Sequence, residues 1–128
     1  AQSVPYYEKA VATAPEAGLI RLALAQSLIE SAGNNPQKLQ SAIDHLKRAE
    51  KDGPRSTQIK RLLATAFGRM GKEPQARVYL AEEALMRGRR DEASRMASAT
   101  IKQLPAGSPE SIRAKDIINT VGDADKKN

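Results

Sequence analysis

The chain has no cysteine and a single histidine among its 128 residues. The missing cysteine removes disulfide frameworks and thiolate metal sites, and it is compatible with any compartment. One histidine cannot supply an HExxH helix or any zinc site that needs two imidazoles. Aromatics are scarce, three tyrosines and one phenylalanine, which leaves little for stacking on nucleic-acid bases. No apolar run approaches the roughly 20 residues that span a bilayer. The opening AQSVPYYEKAVATAP lacks a basic region followed by an apolar core, so it does not read as an intact secretion signal; a signal removed on export or lying upstream is compatible with it.

Catalytic constellations are missing as well. Glu82-Glu83 and Asp91-Glu92 are adjacent pairs, and neighbours on a helix point about 100° apart. They read as a solvated face and as helix-start charge. The glycines are isolated and build no phosphate loop. His45, in IDHLKRAE, reads as a surface or boundary side chain. The chain therefore reads as non-enzymatic, with no metal and no cofactor.

What remains is ordinary for a protein with a packed core: 40% hydrophobic and 28% charged residues, with a net charge of +6. A basic balance raises nucleic acid as a partner. The charges are interspersed, however, with Lys47-Arg48 and Arg87 to Arg90 the densest groups, and solvated helix faces account for them.

No stretch alternates with period two; the apolar residues recur at helical spacing. A first helix is expected over Ser3 to Thr13, with Val4, Tyr7, Ala10 and Val11 on one face, stopped by Pro15. Glu16 to Ala32 places Leu19, Leu22, Ala23, Gln26 and Ile29 in a stripe that Ala25 and Leu28 widen. Gly33 then serves as a left-handed terminator and Pro36 opens the next helix. Gln37 to Lys51 carries Leu39, Ala42, Ile43, Leu46, Ala49 and Glu50. Ser56 or Thr57 caps a fourth helix bearing Ile59, Leu62, Leu63, Ala66, Phe67 and Met70. A fifth starts near Glu73 with Ala76, Tyr79, Leu80, Ala84 and Leu85. A sixth opens at Asp91-Glu92 and carries Ala93, Met96, Ala97, Thr100, Ile101 and Leu104. Ser108-Pro109-Glu110 starts a seventh, with Ile112, Ala114, Ile117, Ile118 and Val121. The expectation is an all-α chain of about seven helices, in one domain over residues 1–122 with a polar, frayed tail over 123–128.

The segment from Gln58 to Pro105 repeats itself. Gly71 and Gly88 each end an alanine- and leucine-rich run and lie 17 residues apart, as do Ala76 and Ala93. Pro15, Pro54 and Pro105 each follow Ala10, Ala49 or Thr100 by five residues. A helix–glycine turn–helix unit at half of 34 residues resembles the tetratricopeptide repeat (TPR). Leu80, Ala81, Ala84, Gly88, Ala93, Ala97, Thr100 and Pro105 stand at matching offsets, and Leu63, Ala64, Phe67, Gly71, Ala76 and Leu80 do so once more. The aromatic usual early in the first helix is replaced by Leu22, Lys60 and Arg77. The resemblance implies a TPR-like α-solenoid, a right-handed superhelix of antiparallel helix pairs. In that register Ser3 to Thr13 would be a second helix lacking its first, as expected of a piece of a longer protein.

A closer resemblance runs through YYEKAVATAP, LALAQSLIE, AIDHLKRAEKDGP, LLATAFGRMG, LAEEALMRGRRDEA and LPAGSPESIRAKDII. It is to the C-terminal TPR region of bacterial periplasmic and membrane-associated HExxH zinc metallopeptidases related to the CAAX prenyl proteases. Its most specific part is LPxGSPxxxRAxDI, from Leu104 to Ile117. The resemblance implies a protein-interaction module at the cell envelope, in contact with a peptidase domain and with client or assembly partners. A free-standing TPR adaptor or co-chaperone, cytoplasmic or not, and a basic nucleic-acid-binding repeat are the alternatives. By the TPR pattern the partner-facing residues are Ala23, Ser27 and Glu30 on one helix and Gln58, Arg61, Thr65 and Arg69 on another. Arg61 and Arg69 with Thr65 form a basic strip suited to carboxylates or backbone carbonyls. The apolar face of the first helix, with Tyr6 and Tyr7, is a second surface, for a preceding domain or for homodimerisation.

Overall fold

The computed structural model describes residues 18–53 and 55–127, with side chains through 123. Among these residues the elements are α1 (Gly18–Ala32), α2 (Pro36–Asp52), α3 (Thr57–Arg69), α4 (Glu73–Met86), α5 (Arg90–Ile101) and α6 (Pro109–Lys127). The protein is all-α. The helix expected over Ser3 to Thr13, with its tyrosines and the dimer face assigned to it, lies outside the described residues. Six of the seven expected helices are thus placed.

Local chemistry sets the helix ends. Asn35 Oδ1 accepts from the backbone N–H groups of Gln37 (3.0 Å) and Lys38 (3.2 Å), and Pro36 takes the first position of α2. Ser56, rather than Thr57, caps α3, its Oγ accepting from the Ile59 N–H at 3.2 Å. Ser108 does the same for α6 through the Ser111 N–H, also at 3.2 Å. No side-chain cap hydrogen bond opens α4 or α5; Glu73 in one first turn, and Asp91 and Glu92 in the other, complement the helix dipole instead.

Gly88 closes α4 in the left-handed region, φ 83°. Its N–H reaches the Leu85 carbonyl (3.0 Å) and the Arg89 N–H reaches Ala84 (2.9 Å), the paired bonds that satisfy the last carbonyls of a helix. A β-carbon at Gly88 would meet nothing within 4 Å. Gly88→Ala is therefore expected to cost about 1–2 kcal/mol through backbone conformation alone, read as a shift of the urea midpoint with an unchanged slope.

The chain divides into two compact units between Gly71 and Lys72. In the first, α1 packs on α2, α2 on α3, and α1 also meets α3. The α2 stripe is as the spacing predicts: Leu39, Ala42, Ile43, Leu46 and Ala49 are all buried. The α1 stripe is not. Leu24, Ala25, Leu28, Ile29 and Ala32 are buried, whereas Leu19 is 84% exposed and Leu22, Ala23 and Gln26 are only half-buried. Apolar residues nearly encircle α1, so packing on α2 chooses the face. Glu50, read as part of the apolar stripe, pairs with Lys60 of α3, and the Lys47 ammonium lies 5.7 Å from the centre of the Phe67 ring.

In the second unit α4 packs on α5, α5 on α6, and α4 on α6. Ala81, Ala93, Ala97 and Ala114 are completely buried at the centre of its core. A methyl group at each crossing lets the backbones approach to the short end of the usual interaxial range. Val78 and Ala81 supply the α4 face together with Tyr79; Leu80, expected inside, is 38% exposed. Ile112, also expected inside, is 55% exposed. Helix α6 runs to Lys127, with Val121 buried.

Candidate protein-interaction surface

Helix α3 positions the candidate surface. Ile59, Leu63, Ala64, Ala66 and Phe67 are buried, which fixes the rotation of the helix about its axis. Gln58, Arg61, Thr65 and Arg69 then stand exposed on the side away from Leu63 and Phe67. At 100° per residue these four fall within an arc of about 80°. The strip expected from sequence is thus one continuous exposed face. On α1, Ser27 and Ala23 are half-buried and Glu30 is exposed.

Thr65 and Arg69 of the strip each make a hydrogen bond inside the protein. Thr65 Oγ1 donates to the Arg61 carbonyl at 3.0 Å, a bond within its own helix. Arg69 Nη1 donates to the Ile29 carbonyl at 2.8 Å. Ile29 lies among the last four residues of α1, whose carbonyls lack partners within the helix. Arg69 is therefore a cap for α1 supplied from α3, a role that 40 residues of sequence separation hid.

Gln58 also borders an apolar groove of about 400 Å³. Gly18, Leu19 and Leu22 form one wall, Ala49, Asp52 and Gly53 the second, and Ser56, Gln58 and Ile59 the third. Strip and groove meet at Gln58, so one extended segment could lay polar groups along α3 and an apolar side chain in the groove.

The second unit holds a buried polar cluster that the sequence reading missed. Glu110, read only as part of the Ser108-Pro109-Glu110 helix start, is 7% exposed, and its Oε2 accepts from the Tyr79 hydroxyl at 2.7 Å. The Arg113 guanidinium lies 5.0 Å from the centre of the Tyr79 ring, and its Nη1 donates to Glu82 Oε1 (2.8 Å) and Oε2 (3.1 Å). Burial pushes the Tyr79 hydroxyl far above the usual phenol range; Arg113 opposes this, and the Glu110 and Glu82 carboxyl groups add to it. The phenol stays protonated and donating. This cluster joins α4 to α6 and is structural.

The stretch from Leu104 to Ile117 is built around the same contacts. Leu104, Ala114 and Ile117 are buried, Gly107 has φ 79°, Ser108 caps α6 and Arg113 covers Tyr79. Among the described residues, no group of three or more histidine, aspartate or glutamate side chains is placed to hold a metal. No helix among them is long and apolar enough to cross a membrane. Comparison with family models, curated proteins and solved structures returns no match.

Proposed function

We propose that this chain is a non-catalytic protein-interaction module of TPR type, the repeat region of an envelope zinc metallopeptidase that contacts the peptidase domain and its clients. The observation that carries the reading is the exposed α3 face, Gln58, Arg61, Thr65 and Arg69, running beside an apolar groove. Donors along an exposed helix fit the carboxylates and carbonyls of an extended peptide. Helix pairs closed by left-handed Gly33 and Gly88, with alanines at the crossings, support the repeat assignment. The cell-envelope location and the peptidase partner rest on the sequence resemblance.

Paired arrays of random-sequence peptides, ending in a free carboxylate or in an amide, test the surface. The full chain retains acidic or carboxylate-ended peptides, and Arg61→Glu weakens that retention about tenfold or more, the worth of a hydrogen bond to a charged group. Retention indifferent to Arg61→Glu in a folded variant would sink the reading. Arg69 is left intact in this test because it caps α1. The adaptor alternative separates from the peptidase reading in the coding sequence upstream of Ala1, where the latter expects an HExxH helix. For nucleic acid the arrangement is less apt: Arg48, Lys60, Arg87, Arg89 and Arg113 each face a carboxyl group of the chain itself.

A further inference from the structure

We propose that the groove beside α3 selects, from the partner peptide, an aromatic side chain that carries its own hydrogen-bond donor: tyrosine or tryptophan. This specificity rests on the peptide reading of the α3 face. Four of the side chains lining the groove are apolar. Ile59 and Ala49 are buried, Leu22 is half-buried and Leu19 is 84% exposed. A ring laid against Leu19 and Leu22 takes apolar surface out of water on both partners.

Polar groups line the same groove. Asp52 is one of them, and Arg48 Nε donates to its Oδ2 at 3.0 Å. That bond anchors the carboxylate and leaves Oδ1 to accept. Ser56 is another. Its Oγ accepts from the Ile59 N–H at 3.2 Å and keeps its own hydrogen to donate.

This combination discriminates among occupants. A wholly apolar side chain takes water from Asp52 and Ser56 and returns no hydrogen bond, which is unfavourable. A phenol O–H or an indole N–H gives the carboxylate a charge-assisted bond while the ring covers the apolar lining. Lysine and arginine also join an apolar stem to a donor. Their narrow stems leave much of a space of about 400 Å³ unfilled, however, and Arg48 already answers the Asp52 charge. The basic α3 strip repels a cation as well. Groove and strip together therefore read an acidic peptide with one tyrosine or tryptophan.

The test titrates the full chain with carboxylate-ended peptides of glycine, serine and glutamate. They are alike except for one residue, placed at each position in turn, that is tyrosine, tryptophan, phenylalanine, leucine or lysine. The tyrosine and tryptophan peptides are expected to bind about tenfold tighter than those with leucine or lysine. Phenylalanine is expected to bind about fivefold weaker than tyrosine, the scale of one hydrogen bond. Asp52→Ala is expected to erase that difference between tyrosine and phenylalanine. Leucine or lysine binding as tightly as tyrosine overturns the proposal, and so does a tyrosine preference that survives Asp52→Ala. Binding that depends on Arg61 but ignores the variable residue leaves the α3 strip standing and removes this specificity alone. No binding of any of the peptides removes both. The comparison among peptides uses the wild-type chain, so it decides the matter if Asp52→Ala does not fold.

Discussion

Tyr79→Ala is expected to destabilise the unit formed by α4, α5 and α6 by about 3–5 kcal/mol, the usual cost of emptying a large aromatic site. The side chain is completely buried, so the substitution leaves a cavity where α4 meets α6. It also removes the phenol donor from Glu110 and the ring beneath Arg113. Tyr79→Phe keeps the ring and the cation contact but removes the buried hydrogen bond to Glu110 Oε2, and is expected to cost about 1–3 kcal/mol. Adding Glu110→Leu to Tyr79→Phe should recover part of that loss, because it also removes the buried acceptor that has lost its phenol donor. Urea unfolding followed through amide signals of α4 to α6 measures all three. Equal stability of Tyr79→Phe and wild type would show that the bond to Glu110 contributes nothing net.

Leu24→Ala is expected to cost the first unit about 2–5 kcal/mol, whereas Leu19→Ala, five residues earlier on the same helix, should stay within about 0.5 kcal/mol. Leu24 is fully buried and Leu19 is 84% exposed. The pair separates the observed rotation of α1 from the one its apolar spacing suggests, since a stripe through Leu19 predicts the reverse order. The same urea experiment, read through α1 and α2 signals, gives both values.

The two helices that differ most in legibility are neighbours. In α2 the apolar residues occupy one side, and Leu39, Ala42, Ile43, Leu46 and Ala49 all proved buried. In α1 the run GLIRLALAQSLIESA is apolar on nearly every side, so period alone could not select a face. Leu80 of α4 misled for the same reason, since Val78 and Ala81 point to the core beside it. Helix ends were readable where one residue type carries the chemistry, as at Ser56, Gly88 and Ser108. The exposed strip on α3 was readable because its polar positions are the complement of a clear apolar face. The bonds of Arg69 to Ile29 and of Tyr79 to Glu110 were not, because each depends on a partner 31 or 40 residues away.

The most direct test of the account is where a bound peptide touches the protein. The nitrogen-15-labelled full chain is titrated with an acidic, carboxylate-ended peptide retained from the arrays, and amide shifts are followed. The account predicts that the largest changes fall on Gln58, Arg61 and Thr65 and on the groove residues Leu19 and Leu22. Changes confined to α4, α5 and α6, or none at saturating peptide, would contradict it.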